Sequence, residues 1–251
     1  KRLFVKGKLP DASKLSVAVV GARNCTPYGR DMARMFSYRL AAAGVFVISG
    51  MALGIDGWGH QGALEAGGET YAVLGSGVMR CYPSCHQNLY ESIVRHGGVI
   101  SEFPVYARAK PVFFPMRNRI ISGLSDGILV VEAREKSGSL ITADAALEQG
   151  KDVFVIPGRI GDELSVGCNR LIRMGAVPVL TPDDILDYYG VKTSDGSRNV
   201  NETEQKILAF LGGKTMHMDE ISAGLSLPMT QLLKCMIVLQ KKGYVIEVGR
   251  N

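Results

Sequence analysis

Residues 17–50 read VAVVGARNCTPYGRDMARMFSYRLAAAGVFVISG, and this stretch decides the fold. It opens on Val17, Ala18, Val19 and Val20, turns at Gly21, and carries a helical composition over 28–43. It closes on a second β-branched run at 45–48 that ends in Ser49-Gly50. Apolar runs without alternation are what strands buried on both faces need, so the pattern predicts strand, helix and strand of a parallel sheet. Working outward, the unit recurs. Apolar runs at 70–74, 98–100, 127–131, 152–156 and 176–180 end in Gly75, Ser101, Glu132, Pro157-Gly158 and Thr181, and helical stretches stand at 56–66, 87–96, 142–149 and 169–174. The expected fold class is α/β: an extended Rossmann-like, doubly wound parallel sheet over residues 1–188.

Residues 189–201 include the polar stretch GVKTSDGSRNVN and are expected to form a linker. Helical runs at 202–211, 218–225 and 228–242, then a short strand at 244–248, predict a small winged-helix-like domain over 202–251.

Composition removes several classes. With 251 residues, 46% apolar and 21% charged, the chain can bury a real core. Thirty glycines against ten prolines fit many tight strand-to-helix turns and exclude collagen-like, disordered and mucin-like chains. No apolar run approaches the roughly 18 residues that cross a bilayer, and no signal pattern opens the chain, so a soluble cytoplasmic protein is expected. Cys25, Cys81, Cys85, Cys168 and Cys235 are odd in number and scattered, as reduced thiols would be. The chain starts at Lys1 without an initiating methionine, close to an apolar stretch, and a missing N-terminal segment is an expectation. A net charge of +5 is a mild excess, so the distribution of charge has to decide about nucleic acid.

Ligands of an open parallel sheet bind beyond the carboxyl ends of its strands. There the chain places Gly21-Ala22-Arg23-Asn24, SGMALGID at 49–56 and Gly75-Ser76-Gly77. Such glycines close tight turns in every fold of this kind. They also let a phosphate approach the backbone and a helix N-terminus. Arg23 tips the balance toward phosphate, since a guanidinium just past a strand can hold one bidentately. The first strand lacks GxGxxG and the chain lacks GxxxxGK[ST], which argues against a dinucleotide dehydrogenase and a P-loop NTPase. Residues 108–119, RAKPVFFPMRNR, lie in a segment, 103–125, that holds no Asp or Glu. Arg108, Lys110, Arg117 and Arg119 alternate there with Phe113 and Phe114, and cations beside aromatic rings suit single-stranded nucleic acid. The plainer account is a solvated basic loop anchored by its two phenylalanines.

The collinear motifs VGARNCTPYG (20–29), SGMALGID followed by His60, VLGSGV (73–78) and then Tyr82-Pro83, SEFP (101–104), FPMRNRIISGLS (114–125), VVEAREKSGSLITA (130–143) and VIPG (155–158) resemble the DNA-processing protein A (DprA/Smf) family over nearly the whole chain. The resemblance implies a homodimeric protein that binds single-stranded DNA without cleaving it, protects incoming DNA, and helps load the RecA recombinase in natural transformation. The family's DNA-contacting pattern falls on Arg23, Lys110, Phe114, Arg117, Asn118 and Arg119. Around that groove Ser137, Gly138 and Thr142 are expected to add backbone or hydroxyl donors. Arg23, Arg117 and Arg119 are expected to converge on one pocket, unless Arg119 proves to be an ion-pair partner. One departure stands at His86, where the family usually has Asn.

Asp56 and His60, four apart on a helix, offer an acid–base pair, but Asp56 is expected to cap that helix and orient the glycine turn before it. Cys81, Cys85 and His86 fall short of the four ligands of a structural zinc site. No GxSxG elbow with triad partners is present, and Ser137 and Ser139 are better placed to donate to phosphate than to attack. The chain is therefore expected to be no enzyme, with no catalytic residue, metal or cofactor. The enzyme alternative is a Rossmann-type nucleotide hydrolase of the LOG/lysine-decarboxylase-like kind, with Asp144 near the place of its carboxylate. In the C-terminal module only Gln231 and Lys234 suit base reading, and residues 199–251 hold six Lys/Arg against five Asp/Glu. A protein contact or self-association is preferred there to duplex reading.

Overall fold

In the computed structural model, residues 2–191, 200–241 and 244–245 are described. The chain divides into two compact units, Lys1–Val191 and Lys192–Asn251. The first runs β1 (Phe4–Gly7), β2 (Ser16–Val20), α1 (Pro27–Ala42), β3 (Phe46–Ser49), α2 (Ile55–Glu65), β4 (Thr70–Val73), α3 (Gln87–His96) and β5 (Gly98–Ser101). It continues with α4 (Phe113–Gly123), β6 (Gly127–Val130), α5 (Gly138–Glu148), β7 (Asp152–Val155), α6 (Val166–Arg173), β8 (Val177–Pro178) and α7 (Pro182–Tyr188).

The strands form a single sheet of order β1-β5-β4-β3-β2-β6-β7-β8. All neighbours are parallel except β1, which lies antiparallel on β5 with Phe4 opposite Ser101. From β2 the chain winds outward through β3, β4 and β5, then returns to the other side of β2 with β6. The order therefore reverses between β2 and β6, and a crevice opens at the carboxyl ends of those two strands.

Alternation along β2 shows why both faces are covered. Val17 and Val19 join Phe36 and Leu40 of α1, while Ala18 and Val20 join Ile120 and Ile121 of α4 and Ala143 of α5. All four residues of β2 named here are almost fully buried, which accounts for the unbroken apolar run that opens the sequence argument.

Three elements were not anticipated. β1 is a short, half-buried edge strand with little apolar signal. In α4, Pro115 looks like a breaker but occupies the first turn, where its missing N–H is not needed. Pro182 starts α7 in the same way, behind a capping box between Thr181 and Asp184.

The second unit contains α8 (Glu202–Leu211), α9 (Met218–Leu225) and α10 (Met229–Lys241), packed around Ile207, Ile221, Leu232 and Leu239. Most of the strand expected over 244–248, and residues 192–199 of the linker, lie outside the described residues.

Candidate nucleic-acid interface

Four segments meet at the crevice: the turn after β2 with Arg23, the turn after β3 leading to Asp56, the start of α4 with Phe114, Arg117 and Asn118, and the start of α5 with Ser137, Gly138 and Thr142. Together with Tyr82 these residues line one open pocket of about 420 Å³. The pocket thus brings together seven of the nine residues selected from sequence. Lys110 and Arg119 are not among its lining residues.

Phe114 stands at the centre. Its ring is half-buried, with the Arg23 guanidinium 5.0 Å and the Arg117 guanidinium 5.9 Å from its centroid. The Tyr82 ring lies 5.5 Å away, tilted by 38°. Phe113, by contrast, stacks on the buried Phe103 at 3.9 Å, so it anchors α4 while Phe114 faces the ligand space. Lys110 sits with its Nζ 5.6 Å from the Phe113 ring, at the approach to α4.

The cations are not equivalent. Arg23 is exposed, whereas Arg117 is only 3% exposed and donates to the carbonyl oxygens of Gly50 (2.8 Å) and Val73 and, through Nε, to Asn118 Oδ1 (3.2 Å). Burial pulls the Arg117 guanidinium down to about 10, against the nearby Asp56 carboxylate, so it keeps its charge at neutral pH. Asp56 is buried too; burial pushes its carboxyl up, and Arg117 and backbone N–H groups pull it back. Arg117 is therefore a built-in positive charge beneath the pocket, and Arg23 is the exposed one beside the Phe114 ring. Arg119 points elsewhere and pairs with Glu102, the ion-pair role held open for it.

Asp56 does orient the glycine turn, since its Oδ2 accepts from the Gly50 N–H at 3.1 Å. The cap position, however, belongs to Gly54, and Asp56 is the second residue of α2. That corrects the capping assignment: at Gly54 the backbone has φ 74°, a conformation glycine adopts freely, and the chain enters the helix there. His60 turns away from Asp56. Its Nδ1 lies 2.7 Å from Thr70 Oγ1, whose proton goes to the Val47 carbonyl, so Nδ1 is the donor. Burial holds His60 neutral, down to about 3.

At α5, Ser137 is the N-cap, Gly138 is the first helical residue, and Thr142 is buried one turn on. Exposed N–H groups at such a start favour an anion. Asn118 donates to the Gly138 carbonyl at 3.1 Å and ties α4 to this turn. His86, the departure from the family pattern, lies 3.1 Å through Nδ1 from the Met51 carbonyl, beneath the β3 turn. Sequence reasoning missed Tyr82 as a lining residue; an aromatic just past a strand-end glycine turn was the available signal. Among the described residues no three His, Cys, Asp or Glu side chains are grouped to hold a metal, and no single helix is long and apolar enough to cross a membrane.

A pocket at the switch point of a doubly wound sheet, pairing an accessible ring with cations and a helix start, defines a Rossmann-like protein suited to a nucleotide or polynucleotide ligand. The chain belongs to the DNA recombination-mediator protein A family, whose model matches residues 1–190. It is 38% identical to Protein Smf of Escherichia coli over 98% of this chain and 69% of that protein. The X-ray structure of DNA processing protein A from Streptococcus pneumoniae superposes with a TM-score of 0.71 at 41% identity, covering 76% of this chain and 67% of that one. A structure of DNA processing protein A from Helicobacter pylori, described by its single-stranded DNA binding mode, gives 0.69 at 28% identity, covering 75% and 86%. The chain spans about two thirds of the length of the first two.

Proposed function

We propose that this chain is a non-catalytic, cytoplasmic protein that binds single-stranded DNA in the Phe114 pocket, protects incoming strands and loads the RecA recombinase onto them in natural transformation. The observation that carries the reading is Phe114 itself, a half-buried ring at a strand-end crevice with one exposed and one buried guanidinium beside it. A base reaches such a ring only when unstacked, which selects single strands and tolerates sequence. The single-stranded DNA binding of the Helicobacter pylori relative supports it. Arg23, Lys110, Phe114, Arg117, Asn118, Ser137, Gly138 and Thr142 form the proposed contact set, with Arg119 placing α4 against Glu102.

The absence of catalysis is supported by what the titratable groups do: Asp56 is spent on Gly50 and Arg117, and His60 on Thr70. The nucleotide-hydrolase alternative is not favoured, because Asp144 lines an adjoining groove with Lys136 and Arg170, which meets the Phe114 pocket at Ser137, Gly138 and Ile141, and is not itself among the residues around Phe114. A homodimer would let a long strand be gripped at two modest sites. In the second unit, α10 exposes Leu233 and Ile237, four apart beside Lys234, which supports a protein contact over duplex reading for the winged-helix-like module.

Titration with single strands against duplex competitors over a range of salt tests the proposal. Single strands should win at every salt concentration, with log K falling by about 0.7 per neutralised phosphate. Equal competition by duplex would contradict it.

A further inference from the structure

We infer that Glu132 is the positioning residue that holds Arg23 over the pocket; this rests on the single-strand reading of that pocket. Arg23 is exposed, so what fixes it is the backbone that carries it. Glu132 follows β6 by two residues and holds that backbone at both ends. Its carbonyl oxygen accepts from the Ala22 N–H at 2.8 Å. Glu132 is only 6% exposed, and its carboxylate accepts from the Thr26 N–H at 2.9 Å and from the Thr26 hydroxyl at 2.5 Å. Arg23, Asn24 and Cys25 lie between the two ties.

The hydroxyl that donates to Glu132 accepts in turn from the Gly29 N–H at 3.0 Å, as the N-cap of α1. One carboxylate therefore orients the cap, the first turn of α1 and the Arg23 turn together. The surroundings are shaped to it: a Cβ at Gly29 would stand 2.3 Å from Glu132 Oε2. From the other side, the Ile55 N–H donates to the Ala22 carbonyl at 3.2 Å.

A carboxylate beside an anion site needs a reason. Free, it would repel a phosphate; buried with its oxygens taken by Thr26, it acts as an anchor and not as a contact. Its charge is felt at Cys25, whose thiol burial and then Glu132 push up, so the residue between Asn24 and Thr26 stays uncharged.

The test uses the full chain with Glu132→Ala, Glu132→Gln, Thr26→Val and Arg23→Ala. Glu132→Ala should weaken single-strand binding by about ten-fold and flatten the salt slope by about 0.7, as Arg23→Ala does. In the Arg23→Ala background it should add less than about two-fold. Glu132→Gln, which keeps an acceptor for the Thr26 amide, should restore most of the slope. Thr26→Val should reproduce part of the loss with the modest drop in melting temperature that a lost helix cap brings, and Glu132→Gln, which keeps the buried side chain's shape, keeps the test valid if Glu132→Ala folds poorly. Independent, multiplicative losses for Glu132 and Arg23 would overturn the inference. Should Arg23→Ala leave single-strand binding untouched, the reading of the pocket fails instead, and NMR of the DNA-free protein decides Glu132 separately. Faster Thr26 amide exchange and a shifted Arg23 Nε–H signal in Glu132→Ala support positioning, and unchanged signals overturn it.

Discussion

Phe114 and Arg117 sit three apart on α4 and do different work. The ring is open to a ligand while the guanidinium is committed to Gly50 and Val73, so stacking and charge can be separated by substitution. Phe114→Ala should cost about 1 to 3 kcal/mol of single-strand affinity, the worth of one stacked base. The slope of log K on log salt should stay as it is, because no phosphate contact is lost. Titrations at three or more salt concentrations check both parts. His60 gives a prediction about pH. Its folded value, about 3, lies below the ordinary 6.5, so its contribution to stability is complete above 6.5 and is lost as pH falls toward 3. Denaturation across that window should show an acid limb that His60→Gln flattens. From sequence the cluster of cations and rings at 108–119 was legible, but which guanidinium turns inward was not. That choice depends on the register of α4, which Pro115 concealed, and on the carbonyls of Gly50, just past β3, and Val73, at the end of β4.

At the scale of elements, the site depends on where helices begin. Ser137 is the N-cap of α5, its Oγ accepting from the Ser139 N–H at 3.4 Å. Ser137→Ala should lower stability by about 0.5 to 2 kcal/mol, the usual cost of a lost cap, and weaken single-strand binding as well. Chemical denaturation and a binding titration on the same sample check the pair of effects. The central strands were legible because their double-sided burial leaves unbroken apolar runs such as 17–20. β1 was not, since four residues antiparallel on an edge leave no period to read. The crevice itself followed from strand order, which sequence supplies only as alternation of strands and helices. Its location between β2 and β6 required the sheet.

For the whole molecule, the two units have separate cores: buried clusters around Val19 and Phe36, around Ile48 and Val130, and around Leu74 and Ile93 in the first, and one around Ile207 and Leu232 in the second. All the residues proposed to touch DNA lie in the first. A fragment ending at Val191 should therefore fold and keep most of the single-strand affinity, checked by circular dichroism and the same titration. The most direct test of the central claim is photocrosslinking with single strands carrying iodouracil, followed by peptide mapping. A base stacked on Phe114 predicts crosslinks in the peptide holding Phe113 and Phe114, with Tyr82 as the second site, and their loss in Phe114→Ala. Crosslinks confined to α10, with the Phe114 peptide unmodified, would contradict the account.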